Sequence, residues 1–337
     1  MVVEDSPTIR RYLVELIEEA PGMIVVGQAR DGEEAVRLTQ SLRPDVISMD
    51  LQMPHMDGLQ AIRQIMSECS TPIVVVSQLL ERDVALSMEA LGAGALAVVS
   101  KPPHRSHSNF ADSLRTLHTN LRAMAGVKVV SRRQPRYPSE HSLPSKLNPL
   151  PQMIAIAAST GGPRALRNVL AALPADFPVP IVLVQHMPPE FIPGLVRWLD
   201  SHTALQVNLA EDGAALQTGT VLVAPGDQQL RIIQWRNTLT IRLTAPAEDE
   251  RYCPSADVLF QSVSEACGAQ AIGVILTGMG SDGAAGLLAL REAGACTIAQ
   301  DESSSTVYGM PRAAVANGAA QHITTLAEIP SKIWDLL

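Results

Sequence analysis

Cysteine is scarce and scattered in this chain of 337 residues. Cys69, Cys253, Cys267 and Cys296 form no C-x-x-C pair, so neither a zinc knuckle nor a disulfide framework is indicated, and the four are expected as small buried apolar residues. A basic surplus is also missing. With 26 Lys and Arg against 34 Asp and Glu, the net charge is -8, which removes the cationic face that binding to a phosphate backbone requires; no nucleic-acid partner is expected. No apolar run approaches the ~18 residues of a membrane span, and the N-terminus, MVVEDSPTIRR, lacks the layout of a signal peptide. The expectation is a soluble, cytoplasmic protein without membrane insertion, and a monomer. Two further absences narrow the function. There is no helix-turn-helix pattern to support a transcription regulator, and no G-x-S-x-G elbow of the α/β-hydrolase kind.

Hydrophobic content of 46% with 18% charged residues is ordinary for a globular chain, and the length suggests two domains of ~100 to 200 residues each. From 1 to 124, strand-like runs at Val2-Val3, Met23 to Gly27, Val46 to Met49, Ile73 to Val76 and Leu96 to Val99 alternate with amphipathic helical runs such as TIRRYLVELIEEA. That alternation predicts a parallel sheet covered by helices. The first strand is short, so either the true start lies upstream or the edge is weak. Residues 125–151 read as a linker, with five prolines among Arg, Ser and Lys from 127 onward. From 152 to 337 the alternation resumes, with strands at Met153 to Ala157, Ile181 to Val184, Ile272 to Leu276 and Cys296 to Ala299. Shorter strand-like segments between about 205 and 245 suggest an antiparallel insertion or edge.

In a parallel sheet, ligands gather at the carboxyl ends of the strands. Glu4 and Asp5, Asp50, Ser77 and Lys101 all fall at such ends in the first half. Clustered carboxylates repel unless a cation neutralises them, and oxygen-only ligands favour Mg²⁺. A carboxylate beside Mg²⁺ can attack a phosphoryl group, with a lysine and a hydroxyl stabilising the transferred oxygens. The segments VVEDS, DVISMDLQMPHMDG, PIVVVS and GALAVVSKP resemble the receiver domain of bacterial response regulators. The resemblance implies a flavodoxin-like, five-stranded receiver. It also implies Asp50 as phospho-acceptor, Mg²⁺ held by Glu4, Asp5, Asp50 and the Gln52 carbonyl, and phosphate sensing by Ser77 and Lys101. Many receivers carry an aromatic switch residue three positions before the lysine; here that position is Val98.

In the second half, MIAIAASTGGPRALRNVL places Ser159 at a strand-to-helix corner, and PIVLVQHMPPEF puts His186 right after a strand. GMGSDG, at 278 to 283, carries Asp282. Formally that last segment is G-x-G-x-x-G, with Asp301 18 positions beyond Gly283. A carboxylate in the loop meant for a pyrophosphate argues against dinucleotide binding. Singly, Ser159 reads as a helix cap, His186 as a loop histidine and Asp282 as a turn former. Jointly they hold the types that activate a serine: a base to take its proton and a carboxylate to orient the base.

The segments AASTGGPRAL, VLVQHMP, VAPGD, CPSADVLFQSV, LTGMGSDGAAGLLALREAGA and AQDESSSTVYGMPRAAV resemble the catalytic domain of the chemotaxis methylesterase (CheB) family. A receiver, a linker and a doubly wound α/β catalytic domain is that family's architecture. The resemblance implies Ser159 as nucleophile, His186 as general acid and base, and Asp282 as orienting carboxylate, with Met279 lining the site. An oxyanion would be met by N–H groups near Thr160 and Gly161. The implied substrates are glutamate γ-methyl esters of chemoreceptor helices, with methanol released, and specific receptor glutamines for deamidation. The esterase is expected to need no cofactor, and a CheA-type histidine kinase is the implied phosphodonor. A receptor pathway other than motility is compatible with the same residues. One departure bears on substrate preference: Gln228-Gln229 stands after the APG turn, where relatives often have histidine.

Overall fold

The structure, a computed structural model, describes residues 1–78, 81–127, 150–248 and 250–337, with the backbone alone at 81–83. The chain forms two compact units, Met1–Arg133 and Gln134–Leu337. Most of the expected linker lies outside the described residues.

The first unit alternates strands and helices in the order β1 (Val2–Val3), α1 (Pro7–Glu18), β2 (Gln28–Ala29), α2 (Gly32–Leu42), β3 (Ile47–Met49), α3 (Gly58–Glu68), β4 (Ile73–Ser77), α4 (Glu81–Ala93), β5 (Ala97–Ser100) and α5 (Phe110–Ala125). All sheet pairings are parallel and the order is β2-β1-β3-β4-β5, the flavodoxin-like arrangement. Helix starts are set locally. Ser6, Asp31 and Asp57 each accept a hydrogen bond from an N–H three residues on, which satisfies one orphan donor of the first turn.

The second strand departs from the sequence reading. Pairing falls on Gln28–Ala29 rather than on Met23 to Gly27, because β1 offers a ladder only at Val2 and Val3. The apolar run before it is left without a described partner strand, and Ile24 and Val26 are exposed. The cysteines differ as well: all four are free but half-buried rather than fully buried.

The second unit runs β6 (Met153–Ala158), α6 (Gly162–Leu170), β7 (Ile181–Gln185), a 3-10 turn (Pro189–Phe191), α7 (Ile192–Asp200), β8 (Gln206–Leu209), β9 (Thr220–Val223), β10 (Gln229–Trp235) and β11 (Thr238–Thr244). It continues with α8 (Ala256–Cys267), a second 3-10 turn (Gly268–Gln270), β12 (Ala271–Ile275), α9 (Ala284–Glu292), β13 (Cys296–Gln300), α10 (Met310–Ala316), β14 (His322–Thr324) and α11 (Ile329–Asp335). Seven strands form one parallel sheet, ordered β14-β13-β12-β6-β7-β9-β8. The antiparallel pairing expected between 205 and 245 is the separate hairpin β10-β11, whereas β8 and β9 join the main sheet in parallel.

The central strands are apolar along their length because helices cover both faces; β6, β7 and β12 are buried at every position. Helix α8 is held by fully buried Leu259, Phe260 and Val263, each stabilising by roughly 1.5 to 3 kcal/mol. That anchorage fixes the N-terminus of α8, which matters for the site below. β6 lies between β7 and β12, so the chain leaves it toward one side and returns on the other, the switch point at which open sheets form a crevice.

Candidate active site

Backbone bonds knit three strand ends together at this switch point. Ser159 N–H donates to the Thr277 carbonyl (3.0 Å) and His186 N–H to the Ala158 carbonyl (3.0 Å), so the loops after β6, β7 and β12 start from one locked frame. Into that frame come Ser159, His186 and Asp282, 123 positions apart in the chain at their extremes.

Asp282 is buried and accepts four hydrogen bonds. They come from His186 Nε2 (2.7 Å), the Ser255 hydroxyl (2.8 Å), Ala256 N–H (2.7 Å) and Asp257 N–H (3.2 Å). Two of these donors are first-turn amides of α8, where the helix dipole favours an anion. Burial pushes the carboxyl pKa up, but the His186 hydrogen bond and charge, the Ala256 amide and the Ser255 hydroxyl outweigh it, and the net shift is downward. Neighbouring Asp257 is shifted the other way, raised by burial and by the Asp282 charge despite the Gly286 amide on it. One ionised carboxylate and one reluctant neighbour therefore share the helix start. With Nε2 of His186 given to Asp282, Nδ1 is the nitrogen left for a hydroxyl.

The turn after β6 is equally specified. Ser159 N–H goes to Thr277 and Gly162 N–H donates to the Ser159 carbonyl (2.8 Å). The two amides between them, of Thr160 and Gly161, have no acceptor among the described residues. Gly161 sits at φ +76°, and a Cβ there would stand 2.5 Å from Cβ and Oγ1 of Thr306; only glycine meets both conditions without strain. Gly278 plays the close-approach role on the other side, since its Cβ would come within 2.8 Å of Ser159 Cβ. Met279 next to it is partly exposed beside the site.

Sequence reasoning missed several contributors. Gln185, buried at the end of β7, donates from Nε2 to the carbonyls of Ser159 and His186 (2.9 Å each), bridging the two loops. A polar residue closing a wholly apolar strand was its only signal. Ser255 caps α8 by accepting from Val258 N–H, while its hydroxyl proton goes to Asp282. Gln229 is fully buried and binds the 250–255 segment, so its side chain organises the wall of the site. Tyr252 stacks on His186, a contact with no sequence signature.

The first unit carries a second cluster at the same kind of sheet edge. Glu4 and Asp50 are buried, Asp5 is exposed, and one oxygen of each lies within 4.8 Å of the others. Lys101 Nζ donates to Asp50 Oδ2 (2.9 Å) and pairs with Glu4 Oε2 at 2.8 Å. Lys101 is thus shared between the two buried carboxylates, Glu4 and Asp50. Burial, against the pull of Lys101 and with the Asp50 charge adding to it, pushes Glu4 up to about 7. Burial opposes the charge on Lys101, but Glu4 and Asp50 outweigh it and raise that pKa. Three carboxylates, two of them buried, that bring hard oxygen atoms this close together fit Mg²⁺. Gln52 lies two residues beyond Asp50 in the same loop, its N–H near Asp50 Oδ1 (3.5 Å). Ser77 is buried at the end of β4, where its carbonyl accepts from Lys101 N–H (2.9 Å). Val98 lies buried in β5 opposite Val75.

Fold and site together define a class: a response regulator whose receiver shares a chain with an α/β unit bearing a serine, a histidine and a buried carboxylate at its switch point. Residues 1–108 match the response regulator receiver domain and residues 154–333 match the CheB methylesterase model. The chain belongs to the CheB methylesterase family. It is 46% identical, over 99% of its length and 95% of the relative's, to protein-glutamate methylesterase/protein-glutamine glutaminase 4 of Myxococcus xanthus. It is 45% identical, over 96% of its length and 94% of the relative's, to protein-glutamate methylesterase/protein-glutamine glutaminase 3 of Anaeromyxobacter dehalogenans. Among solved structures, the crystal structure of the Thermotoga maritima CheB methylesterase catalytic domain is similar at a TM-score of 0.54 and 36% identity, covering 56% of this chain and 99% of that one.

Proposed function

We propose that this protein is a phosphorylation-controlled serine hydrolase that removes methyl groups from glutamate γ-methyl esters of chemoreceptors and deamidates specific receptor glutamines. The observation that carries it is the buried Asp282 carboxylate, bonded to His186 Nε2 at 2.7 Å at the strand end next to Ser159. Beside a serine hydroxyl, such a pair fixes the imidazole tautomer and stabilises the cation formed when the base takes a proton.

In this reading His186 Nδ1 takes the Ser159 proton as Oγ attacks the ester carbonyl carbon. The amides of Thr160 and Gly161 receive the negative oxygen. Collapse breaks the carbon to methoxide bond, and His186 returns its proton to the departing oxygen, giving methanol and a seryl ester. Water, deprotonated by His186, then attacks that ester and restores Ser159 with a free glutamate. With glutamine, ammonia leaves in place of methanol. Met279 lines the approach, whereas the glycines around Ser159 make room for the protein's own Thr306, Gln185 and Met310 rather than for substrate.

In the receiver, Asp50 accepts the phosphoryl group, with Ser77 and Lys101 contacting its oxygens. Glu4, Asp5, Asp50 and the Gln52 carbonyl would hold Mg²⁺, which neutralises charge as an anionic phosphodonor approaches. A CheA-type histidine kinase is the donor that fits this role. Among the described residues no helix is long and apolar enough to cross a membrane.

The test is release of labelled methanol from receptor membranes carrying labelled methyl groups. Release should rise with a small-molecule phosphodonor plus Mg²⁺. It should vanish in Ser159→Ala while Asp50 still accepts phosphate. No release from any methylated receptor, with Asp50 phosphorylated, would overturn the assignment.

A further inference from the structure

We propose that Tyr252 is a positioning residue for His186, its ring walling the imidazole and stabilising the imidazolium through which the ester reaction passes. This rests on the serine-hydrolase reading above and adds a residue outside the Ser-His-Asp set. The two rings are stacked, with centroids 5.3 Å apart and planes 11° apart. Offset parallel rings at this separation attract, and a cation within about 6 Å of a phenol face is drawn to its π electrons. Taking the Ser159 proton puts a positive charge on the imidazole, so the attraction strengthens toward the transition state. Contacts of that differential kind raise kcat rather than lowering KM.

Tyr252 is held in place from several directions. Gln229 Nε2 donates to the Tyr252 carbonyl (2.7 Å) and to Glu250 (3.0 Å), while its Oε1 accepts from Ser255 N–H (2.8 Å). Arg231 pairs with the other oxygen of Glu250 (3.1 Å). The phenol oxygen lies over Gly280, where a Cβ would stand 3.2 Å from it. Three residues beyond Tyr252, Ser255 gives its hydroxyl proton to Asp282. One pinned segment thus grips both members of the His186–Asp282 pair, with a ring on the base and a hydroxyl on the acid.

The experiment compares Tyr252→Phe, which keeps the ring, with Tyr252→Leu, which keeps apolar bulk without it. Both are made in the full chain, with phosphodonor and Mg²⁺ saturating, and methanol release is followed over a range of methylated receptor concentrations. Tyr252→Leu should lose kcat about 5- to 10-fold with KM unchanged, and Tyr252→Phe should return most of it. A Leu variant as fast as wild type, or a Phe variant as slow as Leu, overturns the inference, because packing alone would not separate the two. If Tyr252→Leu melts early, Tyr252→Met carries the same comparison. Ser159→Ala is run alongside: if it still turns over, the serine reading itself has failed. If it is inactive while Tyr252→Leu is at full rate, only the role of Tyr252 is lost.

Discussion

Replacing Asp282 by Asn removes one charge from a site whose hydrogen bonds dictate how the new side chain must sit. Oδ2 faces two fixed donors, His186 Nε2 and Ala256 N–H, both at 2.7 Å. Oδ1 faces the Ser255 hydroxyl, which can turn and accept, and the longer Asp257 N–H at 3.2 Å. The amide oxygen of Asn therefore takes the Oδ2 place and its NH₂ the Oδ1 place, so the His186 tautomer survives. What disappears is the carboxylate facing the imidazolium. Charges with centres ~4 Å apart interact by about 4 kcal/mol at an effective dielectric of ~20, so kcat/KM for methanol release should fall about 10³-fold. A loss below about tenfold refutes the coupling of this carboxylate to the chemistry. A loss as deep as that of Ser159→Ala refutes the orientation argument, since Asn would then be donating to His186 and forcing the wrong tautomer. The variant also has a pH signature in stability. The Asp282 pKa is depressed in the fold, so its contribution is present above the unfolded value of ~3.9 and is lost as pH falls through the folded one. Urea melts should show the gap between wild type and Asp282→Asn holding at neutral pH and narrowing as pH falls below ~3.9.

Other perturbations follow from the same contacts. Gly161→Ala should cost about 1 to 2 kcal/mol for the left-handed backbone alone. It should also slow turnover by displacing Thr306 and the amide pair, which urea melts beside methanol release would record. Gln229→Leu leaves the Tyr252 carbonyl and Ser255 N–H without their partner; at about 1 to 3 kcal/mol per buried unsatisfied group, the second unit should melt several degrees lower and turn over more slowly, while phosphorylation of Asp50 is unchanged. Glu4→Gln takes a charged oxygen from the receiver cluster, and the Mg²⁺ midpoint for phosphorylation by a small-molecule donor should move to higher concentration, with esterase activity of the unphosphorylated protein unaltered.

Much of this site was legible before the fold was known, because strand-end position is a one-dimensional property. An apolar run followed by a polar residue marks the carboxyl edge of a parallel sheet, and Asp50, Ser159 and His186 are all found that way. Asp282 was legible as a carboxylate set among glycines where a phosphate loop should have none. Tyr252 and Ser255 carry no such mark, because their roles arise from the 250–255 segment lying across strands far away in sequence. Gln229 was noticed only as a departure from histidine, and its burial turns it inward to that segment. The misplaced second strand has a related cause: apolar alternation identifies residues able to pair, but pairing needs a partner, and β1 supplies it only at Gln28 and Ala29.

By itself, then, the order of residues determined two α/β units and the chemical types at each strand end, since periodicity and composition act locally along the chain. Tertiary structure alone decided which of those ends meet. Strand order around β6 sets Ser159 between His186 and the Asp282 loop, and the start of α8 delivers two amides and a hydroxyl to Asp282. The depressed pKa of that carboxylate and the ring wall on His186 follow from those meetings, because electrostatic and stacking energies depend on distance in space rather than on separation in sequence.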